Sequence, residues 1–409
     1  VVSDLAESYD PLGAHAEDPY PFYAEARSRE PVFYSPRIDA WVVTRFADVE
    51  AVLKDWAGFS SADSLRPIRP LYPATVTVLA EGFPQRPDHV TSDGEAHRRL
   101  RSPYTRHLTA PGRVKGLEPS VRTLAETLVD GFAGAGGGDV IPRFAKPLPL
   151  RTAAAMFGFA PEDVPTVRDG SESSFRLGSV DLTEADEVAA ARAVVAFERL
   201  VARYAHRRRT APNGDLISDV TAALADGDGP LTPDQEAELV TTVTSTFGAA
   251  HITTADLIGS ALNLLAAHPD QWRSLCRRPE LIAGAVEEVL RFEAPIPTMF
   301  RRATRAAVIG GVEIPQGADV LVVFASANRD EERYPDAGRF DVTRKPARHF
   351  AFGAGVHTCV GAAPARAQAR VALQVLTERL PGLSPASGSA APIRRSINVR
   401  GPLSLELSW

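Results

Sequence analysis

The chain has 409 residues, 44% of them hydrophobic and 23% charged. That is enough apolar material for a sizeable core, and it excludes disordered, collagen-like and disulfide-stapled chains. Lys and Arg number 45 against 51 Asp and Glu, a formal charge of −6, which argues against sequence-independent nucleic-acid binding. Only Cys276 and Cys359 occur as cysteines, too few for a four-cysteine zinc site or a disulfide framework. The opening VVSDLAESYDPLG lacks the basic and apolar regions of a signal peptide, so a cytoplasmic location is expected.

Helical periodicity dominates, with a few short strands. Val32–Tyr34 and Trp41–Thr44 flank a turn and predict a hairpin, followed by a helix over Phe46–Lys54. Ser64–Asp88 is Pro-rich without a clean period and reads as a long loop. A helix is expected from about Gly94 to His107, and a turn between helices at Gly134–Asp139. Pro161–Arg209 reads as two helices joined near Gly178–Asp181, with breaks at Asn213–Asp215 and Gly227–Gly229. Thr232-Pro233-Asp234-Gln235 is a capping box with Pro at the first helical position. The helix it opens continues to Ala267, about 50 Å at 1.5 Å per residue. Its stretch Leu239–Ala255 has no formal charge but is rich in Thr, carries His251 and is followed by Asp256. It therefore reads as a buried helix and not as a bilayer span. Helices near Pro269–Arg277 and Glu280–Phe292 follow, then strands at Val308–Ile314 and Val320–Phe324. A last helix runs from about Cys359 to Leu380, and Leu403–Trp409 reads as a strand. About 150 residues per domain would give two to three domains. No linker separates independent halves, however, so one domain over 1–409 is expected. It would be mainly α with small β-sheets and a long central helix, residues about 1–60 and 306–325 supplying the β-rich region.

The chemistry concentrates on Cys359. The segment Phe350–Gly361 reads FAFGAGVHTCVG. Gly353 and Gly355 allow a backbone path closed to other residues, able to aim amides at one sulfur. A cysteine at a helix start is also favoured as thiolate. Such a thiolate is a nucleophile or a soft metal ligand, and the alternative is an inert buried Cys. Cys276, in Leu275-Cys276-Arg277-Arg278, reads as structural.

The pattern Phe352, Gly353, Gly355, His357, Cys359, Gly361 resembles the haem-ligand signature of the cytochrome P450 family at all six fixed positions. Glu288-Val289-Leu290-Arg291 matches the family's Glu-x-x-Arg, a structural pair on one helix face, and Asn328–Asp330 and Phe340–Arg344 resemble the region downstream of it. His97 and Arg101 match its His-x-x-x-Arg, while Arg301 and His357 match two further partners of the haem carboxylates. The resemblance implies a single haem domain with haem b (iron protoporphyrin IX) bound through Cys359. It implies a haem-thiolate monooxygenase that inserts one oxygen atom from O2 into a C–H bond, as in hydroxylation, or onto a heteroatom.

The oxygen-pocket motif departs from the family. Ala249-Ala250-His251-Ile252-Thr253-Thr254 is similar to Ala-Gly-x-Asp/Glu-Thr-Thr. Thr253 falls on the family's alcohol, Ala250 replaces Gly, and Ile252 replaces the carboxylate and cannot relay a proton. Protons would then arrive through His251, Asp256, ordered water or a polar group of the substrate. The alternatives are a haem-thiolate enzyme of atypical outcome, such as a peroxygenase or oxidative coupler, or a non-catalytic haem-binding protein.

By the same resemblance the substrate pocket draws on Leu79, Phe175, Thr246, Phe247, Ala250, Ile296, Thr298, Met299 and Ile397. This mostly apolar set with hydroxyls suits a medium-sized apolar molecule with some polar groups. Arg66, Arg69 and Arg176 are candidates to meet an acidic substrate, with a solvated surface role as the alternative. Nothing in the chain resembles a fused flavin or iron–sulfur domain. The implied partner is thus a separate ferredoxin or flavodoxin with its NAD(P)H reductase, steered by Arg98, Arg99, Arg366 and Arg370. No nucleic acid or membrane partner is expected.

Overall fold

The computed structural model describes residues 3–65, 69–110, 112–225, 227, 229–386 and 391–409. Arg66 and Asp228 lie outside the described residues. The chain groups into two compact units. The first comprises Val1–Ser61, Val114–Leu148 and Thr253–Trp409, and the second Ala62–Arg113 and Pro149–Ile252. The secondary structure is mainly helical with small sheets.

The first unit holds a five-stranded sheet. Its strands lie in the order Val32–Ser35, Ala40–Val43, Asp319–Val323, Thr298–Ala303, Phe59–Ser60. The predicted hairpin forms with Val32 opposite Val43 and Tyr34 opposite Trp41. Ala40–Val43 runs parallel to Asp319–Val323, with Trp41 opposite Val320, a pairing that needs a long crossover and so leaves no local sequence signal. The strand Thr298–Ala303 was not expected. It pairs antiparallel with Asp319–Val323, Arg301 opposite Val320. The β-rich region thus draws on residues beyond the 306–325 expected. Val43, Val49, Val52, Phe59, Val320, Val322 and Phe350 form one buried cluster, so the start of the cysteine loop is anchored in this core. The hairpin of Ala307–Ile309 and Val312–Ile314 turns at Gly310 (φ 55°) and Gly311 (φ 80°), the two left-handed residues that a tight hairpin requires.

The helical part of this unit packs Arg113–Asp130, the C-terminal part of the long helix, Ile282–Phe292 and Ala362–Arg379. Val121, Ala125, Leu257, Leu262, Val289, Val371 and Leu376 meet in its core. Cys276, in the last turn of Pro269–Arg277, is half-buried against that cluster, and burial raises its thiol above the ordinary value.

The second unit is helical. Val164–Ser179 and Glu184–Thr210 form the expected pair, the latter capped by Thr183. Asp215 caps Leu216–Leu224 by accepting from Ser218 N at 2.8 Å. The capping box closes in both directions: Thr232 N donates to Gln235 Oε1 at 2.9 Å and Gln235 N to Thr232 Oγ1 at 3.3 Å. The long helix spans Pro233–Ala267. The expected loop Ser64–Asp88 contains a helix, Pro73–Leu79. Its sequence PATVTVL is β-branched and without amphipathic period, so tertiary contacts decide it. Glu187 Oε2 accepts from Tyr72 N (3.1 Å) and Thr75 Oγ1 (2.9 Å) at one end. Glu198 accepts from Phe83 N (3.1 Å) and Gln85 Nε2 (3.0 Å) at the other. Two buried carboxylates of Glu184–Thr210 therefore hold the segment at both ends.

Candidate active site

In the first unit the cysteine loop is built on its glycines. Gly353 (φ 64°) and Gly355 (φ 70°) adopt left-handed conformations, and a Cβ on Gly355 would lie 2.5 Å from the Leu53 carbonyl oxygen. Only glycine lets the loop pass the end of Phe46–Lys54 this closely. Phe350 N donates to Asn328 Oδ1 (2.7 Å), and Gly353 N to Phe350 O (2.8 Å), Thr358 N to Gly355 O (3.2 Å) and Cys359 N to Phe352 O (2.9 Å). Those amides fix the shape of the loop by donating to oxygens within it and to Asn328. The Cys359 thiol is exposed. The following helix starts at Ala362 with Gly361 as its cap, so Cys359 precedes the helix start expected at it. His357 lies in the short turn Gly355–His357.

A second layer braces this loop. Glu287 accepts from Arg366 Nε (2.7 Å) and Nη2 (2.9 Å), and pairs with His349 Nε2 at 3.2 Å. The Arg366 guanidinium lies 4.4 Å over the Phe352 ring. Burial raises the Glu287 pKa, but the hydrogen bonds and charges of His349 and Arg366 outweigh it and bring the carboxyl to about 2. These residues line a hollow of about 260 Å³ with Arg348, Gly353, Gly355 and Thr358. Sequence reasoning missed Glu287 and His349, which no motif spacing marks.

Glu288 and Arg291 are each 2% exposed at the side chain and bond at 2.7 and 2.8 Å. Arg344 Nε adds a 3.1 Å contact to Glu288 Oε1 and Asp341 N one of 3.0 Å. Arg291 also donates to the carbonyls of Asn328, Ala337 and Arg339. This network ties the segment between the strands and the cysteine loop to Ile282–Phe292. Arg301 is buried on its strand, Nη1 donating to Phe300 O at 2.7 Å. Thr298 Oγ1 donates to the Ile397 carbonyl at 2.7 Å, joining two pocket candidates, with Ile296 and Met299 half-buried beside them.

In the second unit His97 is buried and Arg101 half-buried on Gly94–Thr109. Burial, then the Arg101 charge, hold the His97 ring below its ordinary pKa. His89, which no motif marks, is buried beside them, and its Nδ1 has no hydrogen-bond partner. Gly248 leaves room for Phe175, as a Cβ there would lie 3.1 Å from its ring. Leu79 is half-buried, and Thr246 Oγ1 donates to Thr242 O at 2.6 Å. Phe247 is fully buried among Phe157, Phe159 and Phe197, so it packs as core and does not line a pocket.

Along the long helix, Ala249 is exposed and Ala250 and Thr253 are half-buried within an otherwise covered stretch. Helical spacing puts these three on one stripe. Ile252, three residues on from Ala249, is buried. His251 Nε2 lies 2.8 Å from Ser171 Oγ, and its ring lies 5.1 Å from that of Phe247. Asp256 Oδ2 is bound by Arg394 Nη1 at 2.6 Å.

Arg69 is committed to Asp181 (2.7 Å), Glu187 (2.8 Å) and the Leu182 carbonyl, and Arg176 is exposed. Arg99 pairs with Glu238, Arg366 with Glu287 and Arg370 with Glu118. Three of the four arginines expected to steer a partner therefore present compensated charge. No described helix is long and apolar enough to cross a membrane.

A haem group fits these residues. Each unit by itself carries features that suit such a group: in the first the thiol is exposed on a glycine-shaped turn, and in the second a partnerless buried imidazole nitrogen, that of His89, stands beside His97 and Arg101. Comparison with known proteins gives the same direction. A family profile, Cytochrome P450, matches residues 278–380. The chain is 35% identical over 395 residues to cytochrome P450 107B1 of Saccharopolyspora erythraea, covering 95% of this chain and 94% of that protein. It is 35% identical to the 6-deoxyerythronolide B hydroxylase of the same organism, covering 94% of each. The solved structure of cytochrome P450 CREJ with (4-ethylphenyl) dihydrogen phosphate superposes with a TM-score of 0.92 at 30% identity, over 99% of this chain and 100% of that one. With that identity across nearly the whole length, the chain belongs to the cytochrome P450 family and is an oxidoreductase of the haem-thiolate monooxygenase type.

Proposed function

We propose that this protein hydroxylates, or otherwise monooxygenates, a medium-sized, mostly apolar organic molecule. The observation that carries the reading is the exposed Cys359 on its glycine-shaped loop. Cys359 is the iron ligand of a haem b, with His97, Arg101, Arg301 and His357 as partners of its carboxylates. When bound, thiolate-ligated haem supplies the oxygen-activating chemistry. The protein's own residues bind and orient the substrate and manage water and protons. Thr246, Ala250, Ile296, Met299, Leu79 and Phe175 are the side chains proposed to receive it. The relative that hydroxylates 6-deoxyerythronolide B supports a substrate of this character.

Proton handling is the feature in which this chain differs from the motif. Ile252 offers no acid, and Asp256 is held by Arg394, which disfavours it as a mobile proton donor. His251 is the remaining titratable side chain on that turn of the helix, and its Nε2 faces the Ser171 hydroxyl. We assign Thr253 and the His251–Ser171 pair to positioning water and protons, with a polar group of the substrate as the complementary source. Electrons come from a separate ferredoxin or flavodoxin with its reductase.

Cys359→Ser tests the reading. The purified protein should show the thiolate-type ferrous–CO spectrum and the variant should lose it; a variant that keeps it refutes the ligand assignment. A panel of compounds screened by the haem spin-state shift then identifies the substrate class.

A further inference from the structure

His89 sits in the segment leading into Gly94–Thr109 and is 6% exposed. Its ring packs on Tyr104 at 5.0 Å and 32°, and Nδ1 is buried without a hydrogen-bond partner. Buried polar atoms are nearly always satisfied, so an orphan one calls for a partner, either water or a ligand group. The neighbouring carboxylate does not serve it. Asp88 Oδ1 accepts from Val90 N (2.8 Å), Thr91 N (2.9 Å) and Thr91 Oγ1 (2.9 Å), and Oδ2 accepts from Ser245. The Tyr104 hydroxyl is directed at Thr242.

The other charges acting on His89 are those of Arg101 and His97, the two residues proposed as carboxylate partners. Burial, with Arg101 and His97, lowers the imidazole to about 4 against the opposing effect of Asp88. Without a further anion the ring is therefore neutral and has one N–H to give. Three donors of this kind, close enough to act on one another's charge, match the chemistry of a carboxylate.

We propose that His89 is a further haem-carboxylate partner, its Nδ1–H donating to the carboxylate served by His97 and Arg101. The proposal rests on the haem assignment above and adds a residue that the family motifs do not mark. It is tested on the haem-loaded protein, wild type against His89→Ala and His89→Gln. Two quantities are measured: the rate of haem transfer to excess apomyoglobin, and the titration of the His89 ring by NMR in the ferrous–CO state. His89→Ala should lose haem about 10-fold faster, the scale of one hydrogen bond to a charged group, and His89→Gln, which keeps a donor, should recover part of that. In the wild type the ring should titrate clearly above about 4, because the carboxylate stabilises its charged form. Wild-type haem loss in both variants, or faster loss in both equally with the ring still titrating near 4, overturns the proposal. If the alanine variant fails to fold, the wild-type titration decides. A wild type that takes up no haem overturns this proposal and the haem assignment together, and its spectrum separates that case.

Discussion

Replacing Glu287 with Gln removes one charge from beneath the cysteine loop while keeping its shape. In the wild type the carboxylate sits between Arg366 and His349, 23% exposed at the side chain. Its pKa falls from 4.5 to about 2, which at 1.36 kcal/mol per pH unit amounts to about 3 kcal/mol of stability. For a carboxylate with a depressed pKa that stability is complete above pH 4.5 and is lost as the pH falls toward about 2. With an unfolding entropy near 2.1 cal/mol/K per residue, the loss corresponds to about 4 °C in melting temperature. The assay is thermal melting of wild type and Glu287→Gln at neutral pH and in acid. The gap should be present at neutral pH and close in acid. Arg366 stacks on Phe352, whose carbonyl accepts the Cys359 amide, so the variant should also lose the thiolate-type ferrous–CO spectrum sooner on warming. Equal melting at neutral pH, or a gap that persists unchanged in acid, refutes the assignment of that stability to the Glu287 charge.

Glu288→Ala leaves the Arg291 guanidinium buried without its counter-charge and should cost roughly 3–5 kcal/mol, read as a lower melting temperature and a lower yield of folded protein. The two carboxylates that clamp Pro73–Leu79 should respond differently. Burial raises the Glu198 pKa, with the Phe83 and Gln85 hydrogen bonds opposing, so its ionised form is held at a cost and stability falls as the pH rises through the ordinary glutamate range. Glu198→Gln should be near neutral in stability, whereas Glu187→Gln, which abandons Arg69, should destabilise; denaturant titrations of both decide. Ile252→Glu should change the coupling of NAD(P)H use to product, and Thr253→Ala should raise uncoupled peroxide release. Coupling unchanged by either removes those positions from proton handling.

Sequence alone determined the elements whose signals are local. The capping box at Thr232–Gln235, the valine-rich hairpin, the helix pair and the cysteine signature depend on residues close in the chain, whose backbone and side-chain chemistry permits few alternatives. Only the tertiary structure decided features that join distant residues. Pro73–Leu79 is helical because Glu187 and Glu198 hold its flanks, not because PATVTVL favours a helix. Thr298–Ala303 is a strand because Asp319–Val323 pairs with it. Three of the four arginines that read as a steering patch, Arg99, Arg366 and Arg370, are paired with Glu238, Glu287 and Glu118. Phe247, a pocket candidate by its place in the motif, was claimed by an aromatic core. His89 was silent in the sequence because a lone histidine just after a Pro-rich segment has no pattern. Its meaning comes from burial, an unsatisfied nitrogen and the charges folded around it.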